Sequence, residues 1–388
     1  MTALDVGRRG VIQMSRLGIA GLITALALIL AVPAGATGDE RQSAQASDRG
    51  RSAPLVIAHR GASGHRPEHT LAVYELVIAM GAEYIEPDLV STSDGVLVAR
   101  HENEISGTTD VAAHPEFADR QTTKTIDGVQ VTGWFTEDFT LAELKTLRAR
   151  ERLPDLRPDN TAFDGLYEIP TLQQVIDLAK RSGTGIYPET KHPTYFDSID
   201  LSLEEPLVEI LHANGYRNRN APVFIQSFET ANLRELHGMT ELRLVQLLSD
   251  TGRPYDFVVA GDPRTYADLA TPQGLHEIAT YADGIGPTKT LIIPRDAQGN
   301  LGNPTSLVDD AHAAELVVHP WTFRNENTFL PADLRAGNPQ APTYLWATGD
   351  APAEYRRYFD LGIDGLFSDY PDTAVATRTE WLRAPRPQ

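Results

Sequence analysis

The sequence runs to 388 residues, 41% hydrophobic and 22% charged, with a net charge of −19 and no cysteine. That composition is globular and long enough for a large core. The acidity argues against nucleic acid or anionic lipid as a partner, and the missing cysteines exclude disulfides and a lipid-modified N-terminal cysteine.

Taken from the start, Arg8, Arg9 and Arg16 precede the apolar run Leu17–Val32 and the small residues Pro33-Ala34-Gly35-Ala36. These are the three parts of an export leader, with cleavage expected after Ala36. The run is shorter than the roughly 20 residues of a membrane span, so no stable membrane anchor is expected, an uncleaved one being the alternative. Arg8-Arg9 leaves a twin-arginine route open. Residues 37–53 are polar and read as a disordered linker.

From there to about residue 380, short apolar runs alternate with helical patterns. Expected strands are Leu55–Ala58, Tyr84–Val90, Gly185–Glu189, Val223–Gln226, Arg243–Leu248, Gly284–Gly286, Leu316–His319 and Gly365–Phe367. Of these the sixth is the weakest, since Gly286-Pro287 also suits a loop. Helical spacing separates most of them, as in Thr70–Met80, Leu172–Arg181, Glu204–Asn214 and Thr230–His237. Such alternation predicts an α/β fold with a parallel sheet, and about eight units predict a closed (β/α)8 TIM barrel. The turn Ser93-Asp94-Gly95 joins the second strand to a further one, Val96–His101, as a hairpin. A long insertion follows at about 102–168, with a helix expected at Leu141–Arg150 behind Thr140 as N-cap. Its place on the catalytic face suggests a substrate-side cap.

Chemistry-bearing residues gather at strand ends, where barrels of this kind carry their active sites. His59-Arg60-Gly61 ends the first strand, although such a pair also suits a strand end in water. Glu86-Pro87-Asp88 places two carboxylates on one strand face, about 7 Å apart at Cα. Converging carboxylates repel unless a proton or a hard divalent cation intervenes, an acidic strand end facing solvent being the alternative. Glu189-Thr190-Lys191 repeats that geometry with one acid and one ammonium, a surface ion pair being the bland alternative. His101 closes the hairpin, and a second imidazole matters wherever one proton must be taken and another given.

The stretch HRGASGHRPEHTLAVYELVIAMGAEYIEPDLVSTSDGVLVARHE, from His59 to Glu102, resembles the opening of the glycerophosphodiester phosphodiesterase family. IYPETKHP, FIQSF, YADGIGP, VVHPWTFRNEN and GLFSDYPD follow in the same order, so the resemblance covers residues of about 55 to 375. It is nearest to the secreted or periplasmic bacterial branch. The middle residue of its E-x-D is proline here, and His65 stands at a variable loop position; neither removes a catalytic group. What the resemblance implies is hydrolysis of a glycerophosphodiester to sn-glycerol 3-phosphate and an alcohol. His59 and His101 would be the acid–base pair, and Glu86, Asp88 and Glu189 the ligands of one divalent cation, Ca²⁺ favoured and Mg²⁺ second. Arg60 and Lys191 would hold phosphate, with Glu68 orienting Arg60 or His59. Gln226, His319 and Trp321 are candidate substrate contacts. Asp369, after the last strand, reads as structural, because an anion there would repel phosphate. Two rival readings are a barrel acting on phospholipid or glycerol-phosphate wall polymer, and a barrel that only binds. Against the first, 341–346 (ending in Trp346) is the nearest approach to an apolar loop; against the second, no catalytic position is lost.

Overall fold

The computed structural model describes residues 53–385, so the expected leader and nearly all of the linker lie outside the described residues. Among the described residues there are thirteen short strands. They are β1 (Leu55–Ala58), β2 (Tyr84–Ile85), β3 (Asp88–Ser91), β4 (Leu97–Ala99), β5 (Thr122–Ile126), β6 (Val129–Gly133) and β7 (Gly185–Ile186). The remainder are β8 (Glu189–Thr190), β9 (Phe224–Ser227), β10 (Arg243–Leu248), β11 (Gly284–Pro287), β12 (Val317–Val318) and β13 (Gly365–Ser368).

Parallel pairing runs β13–β1–β2–β7 along one arc and β12–β11–β10–β9–β8–β3 along the other. Between β12 and β13 the ring closes through Asp364 N–H to Val318 O (3.0 Å) and Phe367 N–H to Pro320 O (3.0 Å). This is the expected (β/α)8 barrel. The second and third barrel strands are each split in two, at Pro87 and at Pro188. Proline has no N–H to give the ladder, yet both carbonyls stay in it: Pro87 O accepts from Glu189 N (3.1 Å) and Pro188 O from Gln226 N (2.9 Å). The broken strands remain in register while their ladders part.

Side chains plug the interior. Ile57, Tyr84, Tyr187, Phe224, Val245 and Phe367 pack there, while a larger cluster fills the space between strands and helices. The weak sixth strand is real. Gly284 and Gly286 carry no side chain to announce it, and a Cβ on Gly284 would meet Val317 Cγ2 at 2.5 Å.

The insertion departs from expectation. Helix extends only over Leu141–Leu144, behind a Thr140–Glu143 capping box. Beyond it the chain is drawn into pairing instead: Ala149 bridges Thr109, and Arg148 N–H donates to Asp110 Oδ1 at 2.7 Å. The hairpin β5–β6 was not expected. Its turn, Asp127-Gly128, has φ of +47° and +80°, the mirror-image turn that suits hairpin twist.

Candidate active site

The turn after β1 starts the site. Arg60 and Gly61 both take positive φ (+58° and +94°), and a Cβ on Gly61 would lie 2.4 Å from Val73 Cγ1. Only glycine fits there. The turn aims the Arg60 N–H at Glu86 Oε2, 2.8 Å away.

Barrel register then assembles the acids. Asp88 pairs with Glu189, and Glu189 with Gln226, across three neighbouring strands. Glu86, Asp88 and Glu189, all buried, each offer an oxygen within 4.8 Å of the others. Burial first, then Asp88 and Glu189, push the Glu86 carboxyl well above its usual range. Glu189 rises to about 7 through burial, opposed by Lys191 and reinforced by Asp88. Burial would raise Asp88 too, but His69, Lys191 and Arg60 outweigh it and hold that carboxyl below normal. Asp88 Oδ1 is buried without a partner. Two acids driven toward protonation beside an orphaned carboxylate oxygen fit a divalent cation with oxygen ligands.

Cations and imidazoles surround this cluster. Lys191 Nζ donates to Glu189 Oε1 (2.8 Å) and lies 3.3 Å from His101 Nε2. His59 Nδ1 meets Asp369 Oδ1 at 2.6 Å, and His101 Nδ1 meets Glu102 Oε2 at 2.5 Å. Each ring therefore spends its Nδ1 proton on a carboxylate and turns Nε2 toward the cavity. Burial, then Arg60, lower His59 to about 4 against the pull of Asp369. Desolvation, then Arg60 and Lys191, hold His101 well below its ordinary value. A cavity of about 350 Å³ is lined by His59, Arg60, Glu86, His101, Glu189, Lys191, Gln226 and Trp321, among others. Phe228, Arg295 and Arg324 extend its wall.

Three expectations need correction or refinement. Glu68 is behind the wall, not on it: Arg152 takes both its oxygens (2.6 and 2.8 Å) and Arg60 Nη1 shares one (3.1 Å). It braces Arg60, in keeping with the orienting role expected of it, and does not line the cavity. His319 is a core histidine. It packs among Tyr187 and Phe224 inside the barrel, with Nδ1 on the Tyr187 hydroxyl at 2.9 Å, and burial lowers it to about 4. Gln226 reaches the cavity, but its amide is spent on Glu86 Oε1 (2.7 Å), leaving only its carbonyl oxygen unpartnered. Trp321 does line the cavity, its indole N–H bonded to Gly286 O at 2.7 Å.

Asp369, read from sequence as structural, is the partner of His59. Arg157 (2.5 Å) and Arg324 (2.8 Å) neutralise its other oxygen, which answers the objection that it would repel phosphate. The signal was in the register: Ala58 pairs with Ser368, so the residues after them must be neighbours. His69 was also missed, although it is wholly buried and 3.0 Å from Asp88 Oδ2.

Fold and site together define a barrel hydrolase acting on an anionic ester: acids to hold a cation, fixed cations for the anion, and two carboxylate-backed imidazoles in one cavity. Residues 59–373 match the model of the Glycerophosphoryl diester phosphodiesterase family, and the chain belongs to that family. It is 36% identical over 352 residues to glycerophosphodiester phosphodiesterase GDPD6 of Arabidopsis thaliana, covering 87% of this chain and 88% of the plant protein. Its identity to the Haemophilus influenzae enzyme is 29% over 362 residues, covering 86% and 92%. Among solved structures, the Agrobacterium tumefaciens glycerophosphodiester phosphodiesterase superposes with a TM-score of 0.52 at 18% identity, covering 83% of this chain and 99% of that one. An Oleispira antarctica phosphodiesterase in complex with the product sn-glycerol-3-phosphate gives 0.51 at 21%, covering 84% and 96%. At such identities the structural likeness speaks for the fold.

Proposed function

We propose that this enzyme hydrolyses glycerophosphodiesters to sn-glycerol 3-phosphate and an alcohol. The observation that carries the reading is convergence: three buried carboxylates within 4.8 Å of one another, with Glu86 and Glu189 sharing one cavity with Arg60, Lys191, His59 and His101. When bound by Glu86, Asp88 and Glu189, a divalent cation supplies positive charge for the phosphoryl oxygens. Arg60 and Lys191 hold the remaining anionic oxygens and stabilise charge that grows in the transition state. One imidazole takes the proton of the nucleophile, a water or the glycerol's own hydroxyl. The other gives a proton to the leaving alkoxide, its lowered affinity for protons restored by the incoming anion.

Ca²⁺ is the favoured cation, since three carboxylates make a hard all-oxygen site without imposing octahedral order; Mg²⁺ is second. We further propose export, with cleavage after Ala36 and membership of the secreted or periplasmic bacterial branch. Among the described residues no helix is long and apolar enough to cross a membrane. N-terminal sequencing of the protein recovered from the producing cell's medium or periplasm reads the cleavage point; an intact Met1 would refute it.

One assay addresses the substrate. Purified protein is incubated with glycerophosphocholine, lecithin or poly(glycerol phosphate), each with and without chelator, and released sn-glycerol 3-phosphate is measured. Release from glycerophosphocholine, lost with chelator, is expected. Release only from lecithin or the polymer would transfer the activity to those substrates, and none from any would leave a binding protein.

A further inference from the structure

The Asp88 carboxylate is held unevenly. Its Oδ2 faces His69 Nε2 at 3.0 Å and Arg60 Nε at 3.5 Å, while Oδ1 is buried with no partner. An ionised carboxylate only accepts, so the ring nitrogen facing it must be the one that carries a proton. His69 is wholly buried and takes a left-handed φ of +52°, uncommon for a residue with a Cβ and held here by its surroundings. The constraint is visible: His69 N–H donates to Arg60 O at 3.1 Å. On the far side of the ring the Tyr74 hydroxyl lies 2.8 Å from His69 Nδ1 and 3.1 Å from Glu86 O, and with Nε2 carrying the ring proton its single proton goes to Nδ1.

We propose that His69 is a positioning residue for the cation, its Nε2–H locking Asp88 Oδ2 so that Oδ1 alone is presented to the site shared with Glu86 and Glu189. This rests on the cation reading above. A free carboxylate rotates about its terminal bond and offers either oxygen, or both. Here one oxygen is spent on a buried donor, the ring of that donor meets a phenol at its other nitrogen, and its backbone is fixed by the bond to Arg60 O. Neighbours of Asp88 divide the work: Gln226 and the Arg60 N–H fix the two oxygens of Glu86, and Lys191 fixes one of Glu189. His69 completes the set without touching the cavity. Partners of this outer kind typically contribute about 10–100-fold to metal affinity.

The test is calorimetric titration of Ca²⁺, and separately Mg²⁺, into metal-stripped full-length protein, with no substrate present. His69→Leu is expected to bind the cation about 10–100-fold more weakly than wild type. His69→Gln, whose amide offers an N–H at comparable reach, is expected to recover most of that loss, which packing alone would not explain. Cation binding by His69→Leu as tight as wild type, or an equal loss in both variants, would overturn the proposal. Should the leucine variant fail to fold, Tyr74→Phe decides. Removing that one oxygen should weaken binding by a smaller factor, and unchanged binding would count against the proposal. Wild-type protein that takes up neither cation would overturn the cation reading itself, and the role of His69 with it.

Discussion

His59→Ala lowers kcat by about 10²–10⁴-fold, the usual worth of a positioned acid or base, while the thermal midpoint stays near that of wild type. His101→Ala behaves alike. The two halves of this expectation rest on different contacts. Activity falls because each ring presents Nε2 to the cavity, with its other nitrogen fixed on a carboxylate at 2.5–2.6 Å. The fold survives because those carboxylates are not orphaned when the rings go. Asp369 keeps Arg157 and Arg324, and Glu102 keeps Arg152 at 2.7 Å. Asp369→Asn is a poorer probe, since it would leave two arginines beside a neutral amide, one of them buried, and confuse stability with catalysis. Turnover of glycerophosphocholine by the purified variants, alongside thermal melts, checks both halves. Full activity in either variant would remove that imidazole from the mechanism.

Much of the site was legible because barrels put function at strand ends, and strand ends are marked where apolar runs stop. His59, Glu86, Asp88, Glu189 and Lys191 all stand at such points, and the structure brings them together. What failed did so for a common reason: distance along the chain does not give depth in a barrel. His319 also ends an apolar run, yet it points into the interior, where Tyr187 and Phe224 enclose it. Glu68 keeps the orienting role expected of it, on Arg60, whereas Asp369 was expected to be structural only. The first is spent on two arginines behind the wall, and the second stands directly behind a candidate catalytic ring. Charge balance decides such cases, and the balancing residues Arg152 and Arg157 come from the insertion, which no strand pattern places.

Local misreadings have local causes. Periodicity carried the 141–150 helix too far because Leu144, Leu147 and Ala149 are all buried, as a helix face would be. Leu144 ends the helix, and residues 148–150 beyond it are drawn into backbone bonds and a bridge with residues 108–110. The hairpin at 122–133 did carry its signal, Asp-Gly between alternating residues, but exposed Thr122, Thr123, Thr125, Gln130 and Thr132 hid the apolar face that usually accompanies it. Two prolines split strands that read as continuous. Those breaks lie next to Glu86 and Glu189, so irregular backbone and cation ligands coincide.

The response to a divalent cation should depend on pH, because binding replaces protons. Folding raises the affinity of Glu86 and Glu189 for protons, Glu189 to about 7. Between the ordinary carboxylate range and about 7, the cation-free folded state thus holds protons that the unfolded chain releases. The stability that Glu189 contributes in this way is fully present at low pH and is lost as pH rises through about 7, and Glu86, also raised, acts in the same direction. A bound cation takes the protons' place, so the rise in melting midpoint caused by Ca²⁺ should be small at pH 5.5 and large at pH 8.5. At a hundredfold excess over Kd the gain is about 2.7 kcal/mol. Activity should follow the same titration. His59, lowered to about 4, remains a competent base well below neutrality, so the acid limb of kcat/KM should reflect loss of the cation and move to lower pH as Ca²⁺ is raised. Glu189→Gln separates the two states: without cation it should melt higher than wild type at pH 8.5, and with Ca²⁺ it should gain little. A limb that ignores Ca²⁺ concentration, or a variant stabilised by Ca²⁺ as much as wild type, would mean that this carboxylate does not hold the ion.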